Sequence, residues 1–201
     1  MIKLLIFDFD GVLRLWDDDI IYAKEQLLGI PQRTLFEIAF SPELGEAVVS
    51  GRISNAVWRK AIRAELEARY GSRGLELSDL WDARTGTIDE QVRALVEFLK
   101  HLGYRVVMLT NGTSTLREEL RHLGVDKLYH HVYNTAEVGV FKPNAAIFEH
   151  IRQAEKIPFH QMVFVDDNAA NIAAAHALGL HTHHYHNLEE LRHFLGNLRV
   201  L

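Results

Sequence analysis

The sequence predicts an α/β fold: a parallel sheet of five or more strands, interrupted after its first strand by an all-helical insertion. Three observations carry this. Leu4-Leu5-Ile6-Phe7 is continuously apolar and runs straight into Asp8-Phe9-Asp10-Gly11, as a central strand buried on both faces does. From about Leu15 to Arg84 only helical periodicity is present. From Thr87 onward, short apolar runs alternate with single amphipathic helices, which implies parallel strands joined by right-handed crossovers.

Each element has a local reason. In the insertion, helices are expected over Ile20–Leu28, Pro31–Phe40, Pro42–Ser50 and Ser54–Arg69. Pro31 suits a first helical turn, and Gly29 and Gly71 stand where C-terminal caps belong. Ser54 is an N-cap before Val57, Trp58, Ala61, Ile62 and Leu66, which share one face. Beyond it, Val92, Leu95, Val96, Leu99 and Leu102 outline a helix stopped by Gly103. Arg105–Leu109 is a second buried strand, closed by Thr110-Asn111-Gly112-Thr113, and a helix over Ser114–Leu123 ends at Gly124. His131–Asn134 is a short strand. Lys142-Pro143 precedes a helix marked by Ala146, Ile147, Ile151 and Ala154. Met162–Val165 leads into Asp166-Asp167-Asn168, an Ala-rich helix stops at Gly179, and a weak strand over Leu180–Tyr185 precedes a terminal helix from Leu188.

Composition bounds the function. The 201 residues are 48% hydrophobic and 24% charged, ordinary for a globular domain with a real core. A formal charge of −5 without a basic tract gives no sign of nucleic-acid binding. The absence of cysteine removes thiol nucleophiles, disulfides and Cys-ligated zinc. Met1 leads directly into the first strand and no apolar run is long enough to span a bilayer, so a cytoplasmic protein with no membrane partner is expected.

Polar residues recur where strands end. Asp8 and Asp10 follow the first, Thr110 and Asn111 the second, and Asp166 and Asp167 the fourth, while Lys142 precedes the helix leading into that fourth strand. In a parallel sheet these ends share one edge, the edge where open α/β proteins place ligands. Several carboxylates suit Mg²⁺, and a hydroxyl, a lysine and free N–H groups suit phosphate oxygens. For Asp8 and Asp10 alone, a strand running out into a polar turn is the competing reading.

Taken together, these positions resemble the haloacid dehalogenase-like hydrolase superfamily over nearly the whole chain. Asp8-Phe9-Asp10-Gly11-Val12 is similar to its first motif, Thr110-Asn111-Gly112 to its second, Lys142-Pro143 to its third and Asp166-Asp167 to its fourth. The resemblance implies a doubly wound, Rossmann-like core over 1–14 and 86–201, with a small α-helical cap over 15–85 that closes on the site. It implies Asp8 as a nucleophile forming an aspartyl-phosphate and Asp10 as general acid and then base. A neighbouring carboxylate and partial burial are expected to help Asp10 hold a proton. Thr110 and Lys142 would grip the phosphate with help from the Asn111 or Gly112 backbone. The Asp8 carboxylate, the Asp10 carbonyl and Asp167 would hold Mg²⁺, with Asp166 acting through water or holding Lys142.

The implied activity is Mg²⁺-dependent hydrolysis of a small phosphorylated metabolite, with a sugar phosphate among the options and the protein a monomer or weak homodimer. A sugar-phosphate mutase would use the same residues. Dehalogenases of the superfamily do not carry the second aspartate, so Asp10 favours phosphate chemistry. A receiver-like phosphate-binding domain places its acid pair on the first strand and its phosphorylated aspartate on the third, unlike this chain. His181, His183, His184 and His186 are read as solvated edge-strand residues over a metal site, and Trp58 as insertion core over an aromatic clamp. Arg14, Arg52, Arg59 and Arg63 could meet an anionic substrate, but are read as solvated surface residues. Trp16 and Asp17, where the family's mobile flap lies, are the expected substrate contacts.

Overall fold

The computed structural model describes residues 1–201. The chain begins with β1 (Leu4–Phe7) and β2 (Arg14–Leu15). Five helices follow: α1 (Asp19–Leu27), α2 (Thr34–Ala39), α3 (Pro42–Val49), α4 (Asn55–Tyr70) and α5 (Ser72–Asp82). It continues through β3 (Thr87–Ile88), α6 (Glu90–His101), β4 (Arg105–Thr110), α7 (Leu116–His122), β5 (His131–Asn134), α8 (Thr135–Val138) and α9 (Ala145–Glu155). A 3₁₀ turn at Phe159–Gln161 leads into β6 (Met162–Asp166), α10 (Ala169–Ala177), β7 (His181–His184) and α11 (Leu188–Asn197).

The five long-range strands form one parallel sheet in the order β5-β4-β1-β6-β7. Leu4 to Phe7 are fully buried, because β1 is central and covered on both faces. Their side chains alternate. Leu5 and Phe7 pack with α6, α7 and α11 through Val96, Leu120 and Leu195, and Leu4 and Ile6 pack with α9 and α10 through Phe148 and Ala175. Helices on both faces make the sheet doubly wound. The chain builds outward from β1 through β4 to β5, then returns to β6 on the other side, so the topology reverses at β1.

The insert, α1–α5, has a hydrophobic cluster of its own that includes Ile21, Leu35, Trp58, Ile62, Leu66 and Leu77. It is joined to the sheet by two chain crossings paired as the short antiparallel ladder β2–β3, with Arg14 opposite Ile88 and Leu15 opposite Thr87. That ladder was not expected, since two residues per strand carry no periodicity. Nor was α5. Gly71 ends α4 as expected, but it also begins α5. The next glycine, Gly74, lies inside α5 because a Cβ there would come within 2.0 Å of the Leu66 carbonyl oxygen in α4. The helix expected from Pro31 starts at Thr34. Buried Glu25 of α1 accepts hydrogen bonds from the N–H groups of Arg33 (2.7 Å) and Leu35 (2.9 Å), capping α2 from outside. Ser54 caps α4 by accepting from the Val57 N–H, as its sequence position predicts.

Candidate active site

Because β1 lies between β4 and β6, the residues ending these strands meet at the switch point of the sheet, where α/β folds leave a crevice. Lys142, from the loop between α8 and α9, reaches into this point. Its Nζ lies 2.8 Å from Asp8 Oδ1 and 2.6 Å from Asp166 Oδ2, and it donates to the Leu109 carbonyl at 3.2 Å. All three charged side chains are buried, so each depends on the others for the solvation that water would otherwise give. Asn111 secures the lysine backbone: the Lys142 N–H donates to Asn111 Oδ1 (2.9 Å) and Asn111 Nδ2 donates to the Lys142 carbonyl (3.0 Å). Only the backbone of Asn111 and Gly112 was expected to act. The side chain of Asn111 positions Lys142, while the two backbone N–H groups donate to no backbone carbonyl.

The acid pair after β6 divides. Asp166 accepts from the Asn168 N–H (2.8 Å) and from Asn171 Nδ2 (3.0 and 3.1 Å) in addition to Lys142. Asp167 instead abuts Gly11 in the turn after β1, where a Cβ would stand 2.0 Å from Asp167 Oδ2. Gly11 also has φ +77°, so both the space and the backbone require glycine. Carboxylate oxygens of Asp8, Asp166 and Asp167 lie within 4.8 Å of one another. With all three carboxylates ionised, two negative charges stand in excess of the one ammonium, and an all-oxygen donor set of that charge fits a hard divalent cation such as Mg²⁺.

Electrostatics reflect this crowding. Burial pushes the Asp8 carboxyl well above the usual carboxylate range; Lys142 opposes the shift, and Asp166 and Asp10 reinforce it. Burial and the neighbouring Asp166 also push Asp167 up. Burial alone would lower Lys142, but Asp8 and Asp166 together hold it above its ordinary value and therefore charged.

Asp10 faces the other way. Arg14 Nε donates to its Oδ1 (2.6 Å) and Nη2 to its Oδ2 (3.0 Å), while Trp16 Nε1 donates to Oδ1 (2.7 Å). Arg14 Nη1 donates to Glu119 of α7 at 2.7 Å, and its guanidinium stacks on the Phe9 and Trp16 rings. Arg14 is thus buried rather than solvated, and the partner of Asp10 is this guanidinium rather than another carboxylate. The bidentate approach four residues along was available to sequence reasoning; the pairing with Glu119, 105 residues away, was not.

Asp8, Asp10, Thr110, Lys142 and Asp167 open onto one cavity of about 1170 Å³ between the sheet and the insert. Trp16 lines it. Asp17 does not, and its carbonyl accepts from Arg84 instead. Trp58 belongs to the insert core, 5% exposed with Nε1 donating to the Ala39 carbonyl, and it also forms part of the cavity wall. Of the remaining arginines, Arg59 lines the cavity, tied to Asp82, while Arg52 and Arg63 pair with Glu46 and Asp79 on the insert's surface. At the cavity rim Asn55 of α4 joins insert to core through Thr113 and Ser114. His181, His183 and His184 are half-buried in β7 rather than solvated, His186 beyond it is exposed, and no three of them gather around one point. His183 stacks on Phe194, His184 and His186 touch with ring centroids 4.3 Å apart, and His184 Nε2 lies 2.9 Å from the Asp167 carbonyl.

Known proteins share this framework. The sesquiterpene phosphatase of Aspergillus oryzae is 26% identical over 190 residues, covering 89% of this chain and 87% of that protein. The phosphoglycolate phosphatase of Aliivibrio fischeri is 27% identical over 195 residues, covering 90% and 82%. A haloacid dehalogenase family enzyme of Bacteroides thetaiotaomicron, solved in complex with magnesium and inorganic phosphate, has the same fold, with a TM-score of 0.71 at 21% identity and coverage of 95% and 99%. The sequence matches the haloacid dehalogenase-like hydrolase family over residues 2–179, which takes in every strand end described above except that of the edge strand β7; to that family the chain belongs.

Proposed function

We propose that this enzyme is a Mg²⁺-dependent phosphatase that hydrolyses a phosphate monoester through an aspartyl-phosphate on Asp8. The observation that carries the reading is the Asp8–Lys142–Asp166 cluster at the switch point, with Asp167 beside it and Asp10 two residues along. Two relatives of nearly the same length are phosphatases, acting on a sesquiterpene and on phosphoglycolate as their names state.

In this reading Asp8 Oδ attacks phosphorus, the P–O bond to the alcohol breaks, and the alcohol oxygen takes a proton from Asp10. Asp10 then removes a proton from water, which attacks the aspartyl-phosphate, freeing phosphate and restoring both carboxyl groups. Lys142, Thr110 and the N–H groups of Asn111 and Gly112 hold the phosphoryl oxygens in line. Asp8, Asp167 and the Asp10 carbonyl would hold Mg²⁺, with Asp166 securing Lys142 and lying close enough to contribute. The bound ion supplies charge neutralisation of phosphate and carboxylates together. The pairing of Asp10 with Arg14 suits the base step. To act as acid, Asp10 must release at least one Arg14 hydrogen bond, and Glu119 is placed to keep the guanidinium paired meanwhile. The insert acts as the cap, closing over the cavity and excluding water.

The test is phosphate release from an aryl phosphate, with Mg²⁺ and with chelator, for the wild type and Asp8→Asn. Release that needs Mg²⁺ and disappears in the variant supports the reading; unchanged turnover in Asp8→Asn removes Asp8 as nucleophile. A mutase would instead convert a sugar phosphate to its isomer with little free phosphate.

A further inference from the structure

The far wall of the cavity is aromatic. Phe36 of α2, Phe40 just beyond the end of that helix, Trp58 of α4 and Trp81 of α5 form one contiguous array: Phe40 lies 6.3 Å from Phe36, 5.9 Å from Trp58 and 6.3 Å from Trp81, centroid to centroid, and Trp81 lies 5.6 Å from Phe36 and 6.1 Å from Trp58. Val48 and Val49 of α3 extend the wall. Phe40 remains 56% exposed despite touching three other rings.

On the insert side most polar groups are already committed, while Glu118, Arg121 and His122 of α7 line the cavity from the core side, away from the rings. Asn55 bonds Thr113, Arg59 bonds Asp82, and Arg84 bonds Asp18 while stacking on Trp16 and Trp81. The Nε1 groups of Trp16 and Trp58 are likewise engaged, with Asp10 and the Ala39 carbonyl. Two buried donors on the lining residues lack partners, Trp81 Nε1 and Arg59 Nε. A polyhydroxylated leaving group placed here would lose its hydrogen bonds to water and recover few of them, whereas an apolar one would bury its surface against the rings.

We infer that the substrate is the phosphate monoester of a bulky hydrophobic alcohol, whose hydrocarbon or aryl body lies on the wall formed by Phe36, Phe40, Trp58 and Trp81. This rests on the phosphatase reading for the phosphate end of the same cavity; the aromatic wall decides only the alcohol. Trp81 Nε1 and Arg59 Nε leave room for an isolated oxygen on that alcohol, not for a ring of hydroxyls.

The test compares decyl phosphate and 2-naphthyl phosphate with glucose 6-phosphate and phosphoglycolate, all with Mg²⁺. The expected kcat/KM is higher for the apolar pair by at least about tenfold, since burying two methylene groups already supplies that factor. Phe40→Gln, at an exposed position, should reduce this selectivity ratio. Equal or greater kcat/KM for the polar esters overturns the inference and leaves the phosphatase standing; no release from any of the four removes the phosphatase reading. A second readout is independent of turnover. The protein's three tryptophans all line this cavity, so their emission reports its occupancy. Decylphosphonate should change that emission with half-saturation well below that of methylphosphonate, and equal half-saturation would overturn the inference.

Discussion

Replacing Lys142 with methionine keeps much of the side-chain volume and removes the charge together with the hydrogen bond to the Leu109 carbonyl. It would leave Asp8 and Asp166, 6% and 0% exposed, facing each other without the ammonium that now lies 2.8 and 2.6 Å from them. Removing one partner of a buried ion pair costs about 3–5 kcal/mol. In a chain of this size each kcal/mol moves the melting temperature by about 2–4 °C, so a fall of about 6–20 °C at pH 7.5 is expected. The pH dependence separates this cause from ordinary misfit. Asp8 already has a folded pKa raised above its unfolded value, and losing Lys142 raises it further. A carboxyl with a raised folded pKa favours folding most when protonated and loses that contribution as pH rises through the folded value. The deficit of Lys142→Met relative to wild type should therefore shrink between pH 7.5 and pH 5, as measured by thermal unfolding of both proteins at each pH. A deficit that is the same at both pH values, or a shift below about 2 °C at pH 7.5, would refute the ion-pair reasoning.

Other substitutions probe neighbouring parts. Gly11→Ala places a Cβ 2.0 Å from Asp167 Oδ2 at φ +77°; it should cost about 1–2 kcal/mol in backbone strain and raise the Mg²⁺ concentration needed for half-maximal phosphate release. Asp10→Asn should lower kcat by about 10²–10⁴, while Mg²⁺ binding followed by calorimetry persists; near-normal turnover would end its assignment as proton carrier. Away from the site, burial alone would raise Glu155, but hydrogen bonds from Arg105 and Tyr133 hold it below its ordinary value. That contribution is present above the unfolded glutamate value and lost as pH falls through the lower folded one. The stability advantage of wild type over Glu155→Gln, read from urea midpoints, should thus be full at pH 7 and decline below about pH 4.

How much of the fold and site is legible in the sequence depends on how local the cause is. β1, β4 and β6 are continuous apolar runs, and the polar residues that end them declare the shared edge by their positions alone. Lys142 is legible as a cation; that Asn111 clamps its backbone is not, because the side-chain contact joins two loops 31 residues apart. Asn171 is easily overlooked, although its spacing from Asp166, one turn into α10, is the spacing that lets it reach back to that carboxylate. Arg14 reads as solvated because a lone arginine after a turn usually is, and only the fold brings Glu119 to it. α5 is hidden by Gly71, which reads as a helix stop but also begins the next helix, and Gly74 within that helix serves a close contact with α4. The aromatic wall draws on α2, α4 and α5, so its signal is distributed: Phe36 and Phe40 at i, i+4 look like half of a core stripe, and nothing local brings Trp81 to them.

The central claim is that Asp8 carries the phosphoryl group. Enzyme mixed with a turned-over phosphate ester and Mg²⁺, quenched in acid within a turnover and digested, should yield phosphate on the peptide containing Asp8, and none when Asp8→Asn is treated alike. Phosphate release with no phosphorylated peptide at any quench time, or with the label on another residue, would contradict the account.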